Sequence, residues 1–154
     1  RVHGDHRLFE ELASARAMLL EAAASHNMSP AELSGETVFQ WALGGDADAV
    51  LAIEHMVDNL SEGLATVCCL LNPAVIVLGG GIMAQQDYLR PRILQRLEEL
   101  VVPAMRINTQ LAFAQLGNDA GMIGALYRLL QQAVATGPVT YGEIVGLPKA
   151  VKHR

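Results

Sequence analysis

Aromatic residues make up only 5% of this 154-residue chain, with a single tryptophan. The hydrophobic 51% is therefore carried by Ala, Leu and Val, a balance that favours helices packed on a buried sheet. No run of roughly 18 apolar residues is present to span a membrane, and no signal peptide opens the chain. Basic blocks are also missing. The formal charge of −5 is spread along the sequence, so direct nucleic-acid binding by this segment is not expected. The only cysteines, Cys68 and Cys69, are adjacent inside an apolar run. Neighbours rarely pair, so buried free thiols in a reducing cytoplasm are expected. There is no G-x-G-x-x-G and no G-x-x-x-x-G-K-[ST], which leaves a Rossmann site and a P-loop unsupported. Ser/His/Asp and Cys/His arrangements, internal repeats and low-complexity tracts are missing too. The chain opens Arg1-Val2-His3 without an initiator methionine. A processed protein or a piece of a longer one is expected, and the motifs below favour the piece.

What is present reads as helices first. Leu8, Leu12, Ala15, Leu19 and Ala22 recur at helical spacing and predict a helix from Leu8 to about Asn27. The stretch NMSPAELSGE reads as a connection with at most one helical turn, and a short helix then runs through Trp41 to Gly44-Gly45. Val50, Ile53, Val57, Leu60, Leu64, Val67 and Leu71 alternate steps of three and four. They predict one long helix from about Asp46, its N-cap, to Leu71, with Asp48, Glu54, Asp58 and Glu62 on the wet side. That helix faces either a core or a coiled-coil partner. Asn72-Pro73 stops it. The run AVIVL is then a strand covered on both faces. A helix follows over 87–102 with Leu89, Ile93, Leu97 and Leu100 inward, then a strand over 107–115 and a helix from Gly117 to about Ala135. The order is a right-handed βαβ crossover plus one helix, with a Gly- and Pro-containing tail.

Two stretches carry the chemistry. Gly79-Gly80-Gly81 ends the first strand, and GNDAGMIGAL (117–126) ends the second and opens a helix. Open α/β sheets bind ligands at the carboxyl ends of their strands. Backbone without Cβ atoms can lie against a flat ligand there, and a helix start with Asn118 or Asp119 as cap suits an anion. Taken singly, each stretch is equally explained by turn geometry and by close helix–strand packing at Gly121 and Gly124.

Taken together and in this order, LNPAVIVLGGGI, LGNDAGMIGAL and the upstream LFEELASARAML resemble the C-terminal part of the ROK family (repressors, open reading frames and sugar kinases). The resemblance covers roughly Gly4 to Leu130. It implies an α/β, helix-rich C-terminal part of an actin-like ATPase domain, with residues 7–71 mainly helical, 74–135 a βαβα unit of parallel strands, and 136–154 a peripheral extension. It also implies that Gly79, Gly80, Gly81, Gly117, Ala120 and Gly121 line the adenosine side of ATP. Glu10, which matches the family glutamate after the third zinc-motif cysteine, would hydrogen-bond sugar hydroxyls; its plainer reading is a solvated charge near a helix start.

The chain departs from the family at the zinc motif, C-x-C-G-x-x-G-C. Arg1, His3 and Leu8 stand where the cysteines belong and Arg7 replaces the second glycine, so only Gly4 survives. His3 and His6 could offer two ligands where zinc needs about four, and no native zinc site is expected. The family's D-x-G-x-T phosphate loop, catalytic aspartate and E-x-G-H sugar motif are not in this sequence. Asp46, Asp58 and Asp119 sit in helical or capping contexts, and His55 lies beside Glu54 on a polar face. No catalytic residue is therefore assigned. The reading is the C-terminal part of an ATP- and Mg2+-dependent kinase of hexoses or N-acetylhexosamines, cytoplasmic, homodimeric or homotetrameric, and without catalysis on its own. The alternatives are the sugar-sensing, dimerising domain of a ROK repressor and a structural remnant without nucleotide affinity.

Overall fold

The structure, a computed structural model, describes residues 8–106, 109–115 and 119–136. Its spine is the helix α3 (Ala47–Leu71), reached through a 3-10 turn (Phe9–Glu11), α1 (Ala15–Ser25), a second 3-10 turn (Pro30–Glu32) and α2 (Gly35–Leu43). Strand β1 (Val75–Leu78), a 3-10 turn (Gly81–Gln85), α4 (Gln86–Leu100), the single-turn α5 (Pro103–Arg106), β2 (Gln110–Phe113) and α6 (Ala120–Thr136) follow. The chain divides into two units, residues 1–115 and 116–154. Among the described residues no helix is long and apolar enough to cross a membrane.

Local chemistry sets the helix ends. Asp46 Oδ1 accepts the Ala49 N–H at 2.8 Å, and Ser34 Oγ accepts that of Thr37 at 3.1 Å, each relieving a first-turn donor that has no partner in the helix. Asn72 closes α3 in the left-handed conformation (φ 43°), donating to the Cys68 carbonyl at 2.9 Å, and Pro73 forbids continuation. The helix expected over 8–27 is instead two pieces. Glu11 folds back to accept the Leu8 N–H at 2.6 Å, and Ser14 Oγ takes that of Ala17 at 3.3 Å, so side-chain bonds compete with helix continuation between them.

Around α3 pack α1, α2 and α4. Met18 and Ala22, Val38 and Phe39, and Leu89, Ile93 and Leu97 close on Ala49, Ala52, Ile53, Met56 and Val57. Val67 and Leu71, expected inward, are exposed, and Ser61, Ala65 and Cys68 take over the buried stripe. A 3.5-residue repeat drifts about 20° per heptad on a 3.6-residue helix, so three heptads rotate its far end away from the core. The same rotation leaves Cys69 exposed while Cys68 is buried. Glu54 and Asp58, expected on the wet side, face α4 and pair with Arg92 (2.8 Å) and Arg96 (2.5 Å). At the end of α4, Leu100 is exposed and Val101 is buried in its place. The chain turns extended at Val101 (ψ 127°), which swings successive side chains to opposite sides.

The strands are parallel, Val75 opposite Gln110 through Leu78 opposite Phe113. Ile76, Leu78, Leu111 and Phe113 meet the core. The expectation of a strand covered on both faces fails: Val75 and Val77 are 48% and 62% exposed, because they point to the face opposite the helical core.

Ser61 is fully buried, and its Oγ has no hydrogen-bond partner among the described residues. A desolvated hydroxyl left unpaired is unfavourable, so Ser61→Ala is expected to stabilise the protein by about 1 kcal/mol. Chemical denaturation measures this, and a loss of stability would contradict it.

The end of α1 is clasped to the start of α3. His26 Nδ1 donates to the Ala22 carbonyl at 2.8 Å, Nε2 lies 3.0 Å from Asp46 Oδ2, and the ring stacks on Trp41 at 4.5 Å. With Nδ1–H committed to a carbonyl, only the protonated ring can also donate to the carboxylate. The Asp46 hydrogen bond, then the Ala22 carbonyl, accordingly raises the His26 pKa above its ordinary 6.5. The Ala49 N–H, then His26, lowers that of Asp46 below its ordinary 3.8. The histidine contribution is complete below pH 6.5 and fades as pH rises through its raised pKa, whereas the aspartate contribution is complete above 3.8 and fades as pH falls through its lowered one. The clasp should therefore stabilise most between these values. Melting temperature against pH is expected to fall above the window in the wild type, and that fall should be smaller in His26→Ala.

Candidate nucleotide-facing strand end and sugar-facing turn

The carboxyl end of β1 is held by the ladder itself. Gln110 N–H donates to Ala74 O at 2.9 Å and Ala114 N–H to Leu78 O at 2.8 Å, so pairing continues to the edge of the glycines. Arg90 of α4 reaches back across this end, 5.2 Å over the Phe113 ring and 3.4 Å from the Leu111 carbonyl. Gly79 leaves the strand with room to spare, since a Cβ built there would lie 3.7 Å from the Ala114 Cβ, an ordinary contact.

Gly80 is different. Its φ of 105° with ψ of 164° is backbone open essentially to glycine alone. A Cβ there would meet no atom within 4 Å. The glycine is thus required by the backbone path, and the space beside it is open to a ligand. The Gly80 carbonyl accepts the Met83 N–H at 3.1 Å, locking the turn from Gly81 into α4.

In the second unit, Ala120 and Gly121 open α6. Side chains built at Gly121 or Gly124 would meet nothing within 4 Å, so crowding inside this unit does not explain either glycine. Gly117 lies outside the described residues, as do Arg1, His3, Gly4, His6 and Arg7 of the degenerate zinc motif.

Glu10 sits on the 3-10 turn Phe9–Glu11 and is exposed. Beside it runs a groove of about 700 Å³ lined by Glu10, Glu11, Ser14, Arg16, Ala17 and Leu20. Glu11 is committed to the Leu8 N–H, and among the described residues neither Glu10 oxygen has a partner, so both can accept from donors such as hydroxyl groups. Two of the other candidate carboxylates, Asp46 and Asp58, and His55 are occupied structurally. Asp46 caps α3, Asp58 pairs with Arg96, and His55 Nδ1 lies 2.6 Å from Glu21 Oε1. Among the described residues no three His, Cys, Asp or Glu side chains converge to hold a metal ion.

Three features of these surroundings escaped sequence reasoning. The α3–α4 ion pairs had a signal in Glu54/Asp58 and Arg92/Arg96, each four apart on helices, but only the fold makes those helices neighbours. The Arg90–Phe113 contact had none. The third is Gly63, in the middle of α3, where a Cβ would collide with the ring of Phe9.

Comparison with known proteins places the chain by family and fold. An uncharacterised protein of Clostridium perfringens is 37% identical over 126 residues, covering 82% of this chain and 42% of its own length. A glucokinase of Halalkalibacterium halodurans is 35% identical over 100 residues, 65% of this chain and 30% of its own length. The chain therefore spans less than half of either relative. Among solved structures, a ROK family protein of Streptococcus pneumoniae in complex with sucrose superposes with a TM-score of 0.73 at 25% identity, over 87% of this chain and 47% of its own. A ROK family glucokinase of Streptomyces griseus, solved with glucose and AMPPNP, gives 0.65 at 25% identity over 83% and 46%. A ROK family transcriptional regulator, a homologue of the E. coli MLC protein, gives 0.58 at 29% identity over 73% and 31%. The architecture, helix-rich α/β with a parallel strand pair, is that of the ROK kinases among the actin-like ATPases. The ROK family sequence pattern itself matches residues 4–132, and this chain belongs to the ROK family.

Proposed function

We propose that the complete protein is an ATP-dependent kinase of a hexose or N-acetylhexosamine, and that this chain supplies the adenosine side of its nucleotide site and part of its sugar site. The observation that carries the reading is Gly80, a strand-end glycine whose backbone conformation is open essentially to glycine alone, with open space where a side chain would be, in a chain 35% identical to a glucokinase. Backbone at Gly79, Gly80 and Gly81 can lie against a flat base with no Cβ between. For Gly117, Ala120 and Gly121 of the second unit the same role rests on the family resemblance. Glu10 accepts hydroxyl protons of the sugar and orients it. Bound Mg-ATP supplies the phosphoryl group. The catalytic aspartate and phosphate loop of the family are not among these 154 residues. A cytoplasmic homodimer or homotetramer completes the reading.

The second reading, a sugar-sensing regulator, is favoured by the 29% identity to the solved ROK regulator. Titration of the complete protein with Mg-AMPPNP separates the two. Saturable binding is expected of the kinase, and a protein that takes up sugar without any nucleotide affinity would support the regulator.

A further inference from the structure

Gly63 is a glycine in the interior of a 25-residue helix, where glycine weakens the helix relative to alanine. Its backbone is not the reason for it, because the described glycines with positive φ are Gly45 and Gly80 only. The reason is space. A Cβ at Gly63 would overlap Phe9 Cζ and Cε2, the far end of the ring. Phe9 is 40% exposed, so the ring is not enclosed from outside and lies against the bare helix backbone at this one notch.

Phe9 shares a three-residue turn with Glu10, and the turn is tied at every joint. Leu8 N–H is bound by Glu11 at 2.6 Å, and the Phe9 carbonyl accepts the N–H groups of Leu12 (3.1 Å) and Ala13 (2.9 Å). Leu12 is buried behind it. The Phe9 ring in its notch and the Glu10 carboxylate in its groove are thus carried on one braced turn. We infer that the Gly63 notch is a socket for Phe9 and that the pair acts as the positioning device for Glu10 toward sugar hydroxyls. The inference rests on the sugar-site reading above and goes beyond it by naming residues that act through Glu10.

The test uses the complete protein and calorimetric titration with glucose and N-acetylglucosamine, with Mg-ADP as the second ligand. Gly63→Ala should weaken sugar binding about tenfold, the scale of one mis-set charge-assisted hydrogen bond, and leave Mg-ADP affinity unchanged. Adding Phe9→Leu should recover most of that loss, because leucine lacks the distal ring carbons that the new methyl meets. Glu10→Gln should weaken sugar binding at least as much. If Glu10→Gln weakens sugar binding while Gly63→Ala does not, the socket is refuted and the sugar site stands. An equal loss of sugar and nucleotide affinity in Gly63→Ala, or a double variant that does not recover, also refutes the socket. If Glu10→Gln binds sugar like the wild type, or the wild type binds neither sugar, the sugar-site reading and the inference fall together.

Discussion

Gly80→Val is expected to lower the nucleotide affinity of the complete protein by about a hundredfold or more, the largest functional effect in this chain. Two causes act in the same direction. A β-branched residue at φ 105° is severely strained, so the turn between β1 and α4 must rearrange. Any side chain that did keep this backbone would project into the open space that the nucleotide is proposed to use. Gly79→Ala is the folding control: its new methyl would sit at ordinary contact distance, 3.7 Å, from the Ala114 Cβ, so the variant should melt like the wild type. A Gly80→Val protein that binds ATP unchanged would remove the adenosine-site assignment.

Phe39→Ala should have the largest effect on stability, about 3–5 kcal/mol. Phe39 is 1% exposed and belongs to the core built around α3. Its ring meets Tyr88 of α4 edge-on, centroids 5.3 Å apart at 80°. Tyr88 in turn carries the Arg92 guanidinium 3.7 Å above its ring, and Arg92 pairs with Glu54 of α3. Truncation therefore opens a cavity where α2, α3 and α4 meet and unseats an aromatic and ionic stack. Domains are stable by about 5–15 kcal/mol, so much of that margin would go. Phe39→Leu keeps most of the volume and should cost clearly less. Denaturant midpoints measure both, and a Phe39→Ala cost below about 1 kcal/mol would contradict this packing.

The long helix, its Asp46 cap and its Pro73 stop were legible because each is a local event: a periodicity, a side-chain acceptor and a missing N–H. The parallel strand pair was legible from its β-branched run and the crossover helix between. What failed was what depends on neighbours. Val67 and Leu71 follow the apolar pattern, yet the helix rotates them out of the core. Glu54 and Asp58 look like solvated charges until α4 brings Arg92 and Arg96 beside them. Val77 reads as buried strand, and only the assembled sheet shows which face the helices cover. At the candidate sites, the glycine run pointed to a special backbone at the strand end, and the structure places that demand on Gly80. Glu10 was singled out only through the family resemblance, since nothing in its local sequence separates it from Glu11. In three dimensions the two differ in that Glu11 holds the Leu8 N–H.

The central claim, that this strand end and turn belong to a sugar kinase, is tested most directly by ADP formation from Mg-ATP by the complete protein. Glucose, fructose, N-acetylglucosamine and N-acetylmannosamine form the panel. Sugar-dependent ADP release with at least one of them is the expected result, and it would identify the substrate class in the same assay. Sugar binding without any ADP release would contradict the kinase and make operator DNA the next ligand to try.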